Sequence, residues 1–444
     1  MTRPKITVVI PTRERLPVLR YSIQTVLSQA YEMLQILVSD NYSTDGTGDF
    51  VRGLADPRIR YVNTGRRLSM SENWEFALSH VEDGWVMFIG DDDGLLPGAI
   101  EKLAAIIETT DCEAITFRPC NYIWPCFGCE SGRLTVPFSR GWEVRDSCKW
   151  LQRVMDSGIS YTNLPMIYIL GAVDMALISR IRLRGQRFFN SCIPDVYASI
   201  ALARSTPKYL YVNEPFTIIG CSEFSSGAQF MISGDQAKSG NELNRFMTEG
   251  NIPFHPDIPL RRDGGYPLSL QMIVYEAYLQ SNFLQPHAAG PRLERQLALA
   301  LARPYTSSLC EARNQEWGRD FARQHRLDFD AILAQSKTLR RAAKLRQWVH
   351  RMRSLFEKMV VYDSAVGLPN VFAASIFASS LLWFRPSIFV RLRKGLRRLA
   401  GKIKGEGGGG FWANRGACGP QRKPFGAGTA VKLSYRSIAR RLRS

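Results

Sequence analysis

Residues 85–98 read Trp85-Val86-Met87-Phe88-Ile89-Gly90-Asp91-Asp92-Asp93-Gly94-Leu95-Leu96-Pro97-Gly98. An apolar run of strand length (WVMFI) stops at Gly90 and three adjacent carboxylates. Pro97 then opens a helix, where a missing N–H is tolerated. Three like charges at the end of a buried strand repel one another and resist desolvation, so something must compensate them. A divalent cation bridging carboxylates to substrate phosphates is one solution. A solvated acidic turn ahead of a helix is the other. An EF-hand calcium loop is excluded, because its remaining ligand positions and closing Glu are missing.

Outward from this stretch the same rhythm repeats. Lys5–Ile10 (KITVVI) and Gln35–Ser39 (QILVS) are short apolar, β-branched runs, the second ending at Asp40. Leu16, Leu19, Ile23, Val26 and Leu27 recur at helical spacing, as do Trp74, Ala77, Leu78 and Val81, then Ile100, Leu103, Ala104 and Ile107. Glu113–Phe117 reads as a further strand. Such alternation predicts an α/β fold: a mostly parallel sheet with helices on both faces, and ligands beyond the carboxyl ends of its strands. Asp40 and Asp91–Asp93 lie at such ends. The loop after the first strand, Pro11-Thr12-Arg13-Glu14-Arg15, has neither a GxGxxG nor a Walker lysine, which argues against a dinucleotide dehydrogenase or a P-loop NTPase. Residues 119–142 read as an irregular loop, Lys208–Ile219 as one or two strands, and 241–336 as helical.

The chain has 444 residues, 45% apolar and 22% charged, which excludes wholesale disorder. Its net charge of +18 is lopsided: residues 1–336 carry 34 basic and 37 acidic side chains, residues 337–444 carry 24 and 3. Nine scattered cysteines suit a reduced, cytoplasmic protein, and the spacing of Cys120, Cys126 and Cys129 lacks the paired knuckles of a structural zinc site. No signal-peptide pattern follows Met1, and no apolar run reaches the length of a membrane span. Val371–Phe384 is apolar but short. Ile388, Leu392, Leu396, Leu399 and Ile403 then mark one face of a basic helix, which reads as an anchor on an anionic membrane surface at the inner face of the cell membrane. No nucleic-acid-binding module is present, so nucleic acid is not expected as a partner.

Three motifs in order carry a family resemblance: Val8-Val9-Ile10-Pro11-Thr12-Arg13, Val38-Ser39-Asp40-Asn41-Tyr42-Ser43-Thr44-Asp45-Gly46-Thr47, and Phe88–Gly98. Together they resemble family 2 glycosyltransferases of the GT-A fold, bacterial-type enzymes of glycan and polysaccharide synthesis, over roughly the first 230 residues. The resemblance implies transfer of a sugar from a nucleotide-sugar (a UDP-sugar favoured) to a glycan or lipid-linked acceptor, with inversion and with Mg²⁺ or Mn²⁺. It implies donor contacts from Thr12, Arg13, Asp40, Asn73, Asp91 and Asp92, and metal ligation by Asp93 with Asp91. Gly90 stands where the family's DxDD stretch has its first acid, and which two of the three acids hold the metal stays open. The acceptor base is expected at Asp195, in Pro194-Asp195-Val196-Tyr197; Asp at a helix start is also a preferred cap. Ser222, Ser225 and Ser226 follow a strand and could approach the diphosphate, although a polar loop explains them as well.

The expected organisation is a GT-A domain over 1–230, a helical accessory region over 231–336, a basic membrane-surface segment over 337–404 and a disordered tail over 405–444. A nucleotidyltransferase that makes nucleotide-sugars, or a non-catalytic membrane-attached protein of the same fold, are the alternatives. The first lacks the Gly-rich basic loop it would need after the first strand.

Overall fold

A computed structural model describes residues 3–125, 132–225, 249–287, 290–303, 308–362 and 366–383. Strands β1 (Ile6–Thr12), β2 (Leu34–Asp40), β3 (Ile59–Asn63) and β4 (Trp85–Phe88) alternate with helices α1 (Leu16–Leu27), α2 (Thr47–Arg52) and α3 (Met70–Leu78). Then come β5 (Gly94–Leu95), α4 (Ala99–Ile107), β6 (Ala114–Ile123), β7 (Arg133–Pro137), β8 (Trp142–Asp146), α5 (Ser147–Ser157), a 3₁₀ turn (Tyr161–Asn163), β9 (Gly171–Asp174), α6 (Met175–Gly185), α7 (Pro194–Ser205) and β10 (Lys208–Cys221).

The protein is α/β, with one sheet whose main path runs β11-β7-β6-β9-β4-β1-β2-β3, where β11 is Lys358–Tyr362. The parallel part is the first motif region: β1 pairs in parallel with β2 and β4, and β2 with β3. Beyond β4 the sheet is mixed. β9 enters antiparallel between β4 and β6, and β10 pairs parallel with β6 but antiparallel with β5 and β8.

The unbroken apolar runs follow from burial on both faces. Val9, Val86 and Phe88 join one core cluster, while Val8, Ile10, Met87 and Ile89 join another on the opposite side. Helices Leu270–Gln280 and Leu293–Leu301 share the first of these clusters with α3, α5, α6 and α7. The helical region therefore packs on the same core as the sheet.

Two expectations change here. Residues 119–142 are not an irregular loop: β6 runs to Ile123, β7 and β8 follow, and only 126–131, with Cys126 and Cys129, lie outside the described residues. The apolar part of the expected membrane segment belongs to the body. β11 pairs antiparallel with β7, and residues 371–383 form a helix that buries Val371, Ala374, Phe377, Ala378 and Leu381 against Val18, Leu96, Tyr122, Trp124 and Ile218. The Tyr122 hydroxyl donates to the Leu368 carbonyl. Fourteen apolar residues suit a core helix better than a span. No helix among the described residues is long and apolar enough to cross a membrane; residues 388–404, where a basic helix is expected, and the tail 405–444 lie outside them.

A chain ended after Ser336 would lose both the edge strand and this covering helix. Its thermal midpoint should fall well below that of the full chain in a fluorescence melt; an unchanged midpoint would show that the third core cluster closes without them.

Candidate active site

The carboxyl ends of β1, β2 and β4 meet in one place, because their register sets Thr12 beside Asp40 and Val9 beside Phe88. Asp91, Asp92 and Asp93 are all buried there, at 2%, 5% and 2% exposure, so each must be compensated. The chain does this in three different ways.

Asp91 is paired with a cation. Its Oδ1 accepts from Arg15 at 3.2 Å and its Oδ2 from the Thr12 hydroxyl at 2.9 Å. Burial pushes the Asp91 carboxyl up, and the Arg15 guanidinium pulls it back. Arg15 also donates to the Phe224 carbonyl, tying the β1 loop to the segment after β10.

Asp93 is spent on the fold. Its Oδ1 accepts from the Gly220 amide of β10 at 2.8 Å, and its Oδ2 from the Gly90 amide at 2.8 Å and the Tyr168 hydroxyl at 3.2 Å. Burial and the neighbouring Asp92 hold this carboxyl well above its ordinary range, against the pull of those three donors. The same packing accounts for Gly90. A Cβ there would lie 2.7 Å from both Asp93 Oδ2 and the Tyr168 hydroxyl, so the place of the family's first acid is already filled.

Asp92 is held through one of its oxygens. Hydroxyls of Ser222 and Ser225 donate to its Oδ2, the former at 2.6 Å, while Oδ1 accepts no hydrogen bond from the described residues. Its carbonyl accepts from the Trp124 indole at 3.1 Å.

Asp40 is buried under its own donors: the Ser43 amide (2.9 Å), the Tyr61 hydroxyl (2.6 Å) and the Asn63 amide (3.1 Å). Asn73 accepts from the Ser39 hydroxyl at 3.0 Å and joins α3 to β2 from within the core. α3 itself starts on a Ser69/Glu72 capping box. Arg13 pairs with Glu249 at 2.6 Å.

Asp195 comes from the other half of the site. It is the second residue of α7, whose cap position is Ile193, so it is not the cap. Its Oδ2 accepts from the Tyr161 hydroxyl at 2.7 Å. Burial raises its pKa, while Tyr161 and the first amides of α7 lower it. The Tyr168 hydroxyl lies within electrostatic reach of Asp93, Asp92, Asp195 and Asp91 alike, and burial with these four charges holds it well above its ordinary range. A buried polar relay keeps the two halves in register: Ser71 of α3 donates to the Ser191 carbonyl at 2.6 Å, and the Ser191 hydroxyl donates to Glu276 at 2.6 Å.

Arg15, Tyr161, Tyr168 and Gly220 escaped the sequence reading. Arg15 could have been found as the basic residue after the first strand. The tyrosines and Gly220 carry no local signal.

The strand ends of the parallel half of the sheet thus gather an acidic triplet and a hydroxyl from the first strand, with a distant carboxylate on a helix start. Residues 7–153 match the family described as Glycosyl transferase family 2, and the chain carries a domain of that family. It is 35% identical over 103 residues to a GalNAc(5)-diNAcBac-PP-undecaprenol beta-1,3-glucosyltransferase of Campylobacter jejuni, covering 22% of this chain and 33% of that protein. It is 31% identical over 110 residues to the putative glycosyltransferase EpsE of Bacillus subtilis, covering 24% and 39%. The match thus spans about a third of these relatives' own length. Among solved structures it is similar to S. aureus TarS 1–349 in complex with UDP-GlcNAc, at a TM-score of 0.43 and 14% identity, over 72% of this chain and 91% of that one.

Gly220 offers the sharpest test of this geometry. A Cβ there would sit 1.7 Å from the Asp92 carbonyl oxygen, so only glycine lets β10 reach Asp93. Gly220→Ala should destabilise the protein by about 1–3 kcal/mol in urea melts and should disrupt nucleotide binding as well. A variant as stable as the parent would mean that β10 does not press on this strand end.

Proposed function

We propose that the protein is an inverting, metal-dependent glycosyltransferase moving a sugar from a nucleotide-sugar, a UDP-sugar favoured, to a hydroxyl of a glycan or lipid-linked acceptor. The observation that carries this is the pairing of a compensated acidic triplet with a separate, half-buried carboxylate, Asp195, held by the Tyr161 hydroxyl at the start of α7. The activity for which the Campylobacter relative is named, a glucosyltransferase acting on an undecaprenol-linked glycan, supports the lipid-linked acceptor class.

Among the described residues no cluster of three or more His, Cys, Asp or Glu forms a metal cage. A single carboxylate oxygen nevertheless suits Mg²⁺ or Mn²⁺, which keep water and phosphate oxygens as their other ligands. We assign that oxygen to Asp92 Oδ1, in place of the Asp93 and Asp91 expected from sequence, whose oxygens are engaged. When bound, the ion would supply positive charge to the departing diphosphate. Thr12 and Asp40, with the Tyr61 and Asn63 that orient it, would face the nucleoside. Asp195 takes the proton of the acceptor hydroxyl as its oxygen bonds to the anomeric carbon. The bond from that carbon to the diphosphate oxygen breaks, and its electron pair leaves with the nucleoside diphosphate.

Three substitutions separate these roles. Asp92→Asn should lose metal-dependent nucleotide binding. Asp93→Asn, which turns an amide donor toward backbone N–H groups, should first lower the melting temperature. Asp195→Asn should keep nucleotide binding and lose transfer by roughly 10²-fold or more. Normal metal-dependent binding in Asp92→Asn would refute the assignment, and normal transfer in Asp195→Asn would refute the base. The basic sequence Arg385–Lys404 would add an anionic membrane surface as partner. Deleting it should abolish flotation with anionic vesicles at low salt, and unchanged flotation would remove the membrane from this reading.

A further inference from the structure

We propose that Tyr161 is the positioning residue of Asp195, and that Arg145, stacked between two aromatic rings, holds the turn that carries it. The inference rests on Asp195 being the acceptor base. A 3₁₀ turn of three residues has little stability of its own, so Tyr161–Asn163 must be held from outside. Its last carbonyl, that of Asn163, accepts from Arg145 at 3.2 Å and from the Tyr209 hydroxyl of β10. Arg145, on β8, is only 8% exposed; its guanidinium carbon lies 3.7 Å from the Trp150 ring centre and 3.4 Å from that of Tyr211. Its Nε donates to Glu143 at 2.6 Å. A guanidinium held between two rings and committed along its edges has one available orientation, and it spends one fork on the turn. Beyond the turn, the Leu164 carbonyl accepts from Thr116 of β6, so the C-terminal end of the turn is held at two successive carbonyls.

The Tyr161 hydroxyl donates to Asp195 Oδ2 at 2.7 Å. Burial and the Asp195 charge hold this phenol well above its ordinary range, so it remains a donor at any working pH. The bond fixes one carboxylate oxygen and favours the ionised base, leaving the other oxygen to take the acceptor proton. The titratable group that shares this corner is Tyr168, ahead of β9, on which the charges of Asp195 and of Asp91–Asp93 all act. Removing the Tyr161 donor leaves those in place, so Asp195 should hold its proton to higher pH.

The test is the pH dependence of kcat for sugar transfer. Tyr161→Phe keeps the ring and its packing. It should lower kcat about tenfold, the scale of a lost hydrogen bond to a charged group, leave the donor KM unchanged, and move the acidic limb to higher pH. Arg145→Lys keeps the charge but not the fork or the stacking, and should move the limb in the same direction. It also carries the test should Tyr161→Phe not fold. An unmoved limb in both variants, with Asp195→Asn inactive, overturns the positioning role and leaves the base assignment standing. Transfer by Asp195→Asn overturns the base itself.

Discussion

Three carboxylates at one buried strand end repel one another and lose their water, and this constraint shapes everything around β4. Each acid is relieved by a different part of the chain. Arg15 and Thr12 come from the end of β1, Gly220 and the two serines from the end of β10, and Tyr168 from the segment before β9. Compensating the charges therefore draws together the edges of the candidate site. Unequal compensation also gives the acids unequal chemistry. A carboxylate with both oxygens committed is a structural fastener, whereas one with an oxygen to spare can meet a ligand.

The second requirement is distance. The base we propose is useful only if it sits where an acceptor hydroxyl meets the sugar, and Asp195 lies far from the triplet in sequence. Its helix is placed by the shared core of α3, α6, α7 and Leu270–Gln280, and by the relay from Ser71 through Ser191 to Glu276. Buried hydroxyl–carboxylate contacts of this kind are costly when broken, so they set the position of α7 more sharply than apolar packing alone would.

Much of the parallel half was legible because its signals are local. Apolar runs of strand length, helical spacing and acids at strand ends lie within a few residues of one another, and they located β1, β2, β4, α1, α3 and α4. The role of each acid was not legible. Asp91, Asp92 and Asp93 are the same residue in a row, and what distinguishes them arrives from Arg15, Gly220, Ser222 and Tyr168. Gly90 read as a departure from a motif, yet its reason lies in a hydroxyl and a carboxylate that fill its side-chain space. The segment near 371 misled for another reason. An uncharged run of that length has the same composition whether it meets lipid or a protein core, and its partners Val18, Tyr122 and Trp124 lie far upstream.

The pairing of β11 with β7 also bears on how the chain is made. From the moment Arg133–Pro137 leaves the ribosome until Lys358–Tyr362 follows, β7 has one side without its eventual partner. At ribosomal speed that interval is on the order of 10–40 s. During it, a strand edge and the apolar surface around Tyr122 and Trp124 are open to neighbouring nascent chains. Late closure prolongs the exposure of this edge during synthesis, and exposed strand edges and apolar surface of this kind are where chaperones act and aggregation begins.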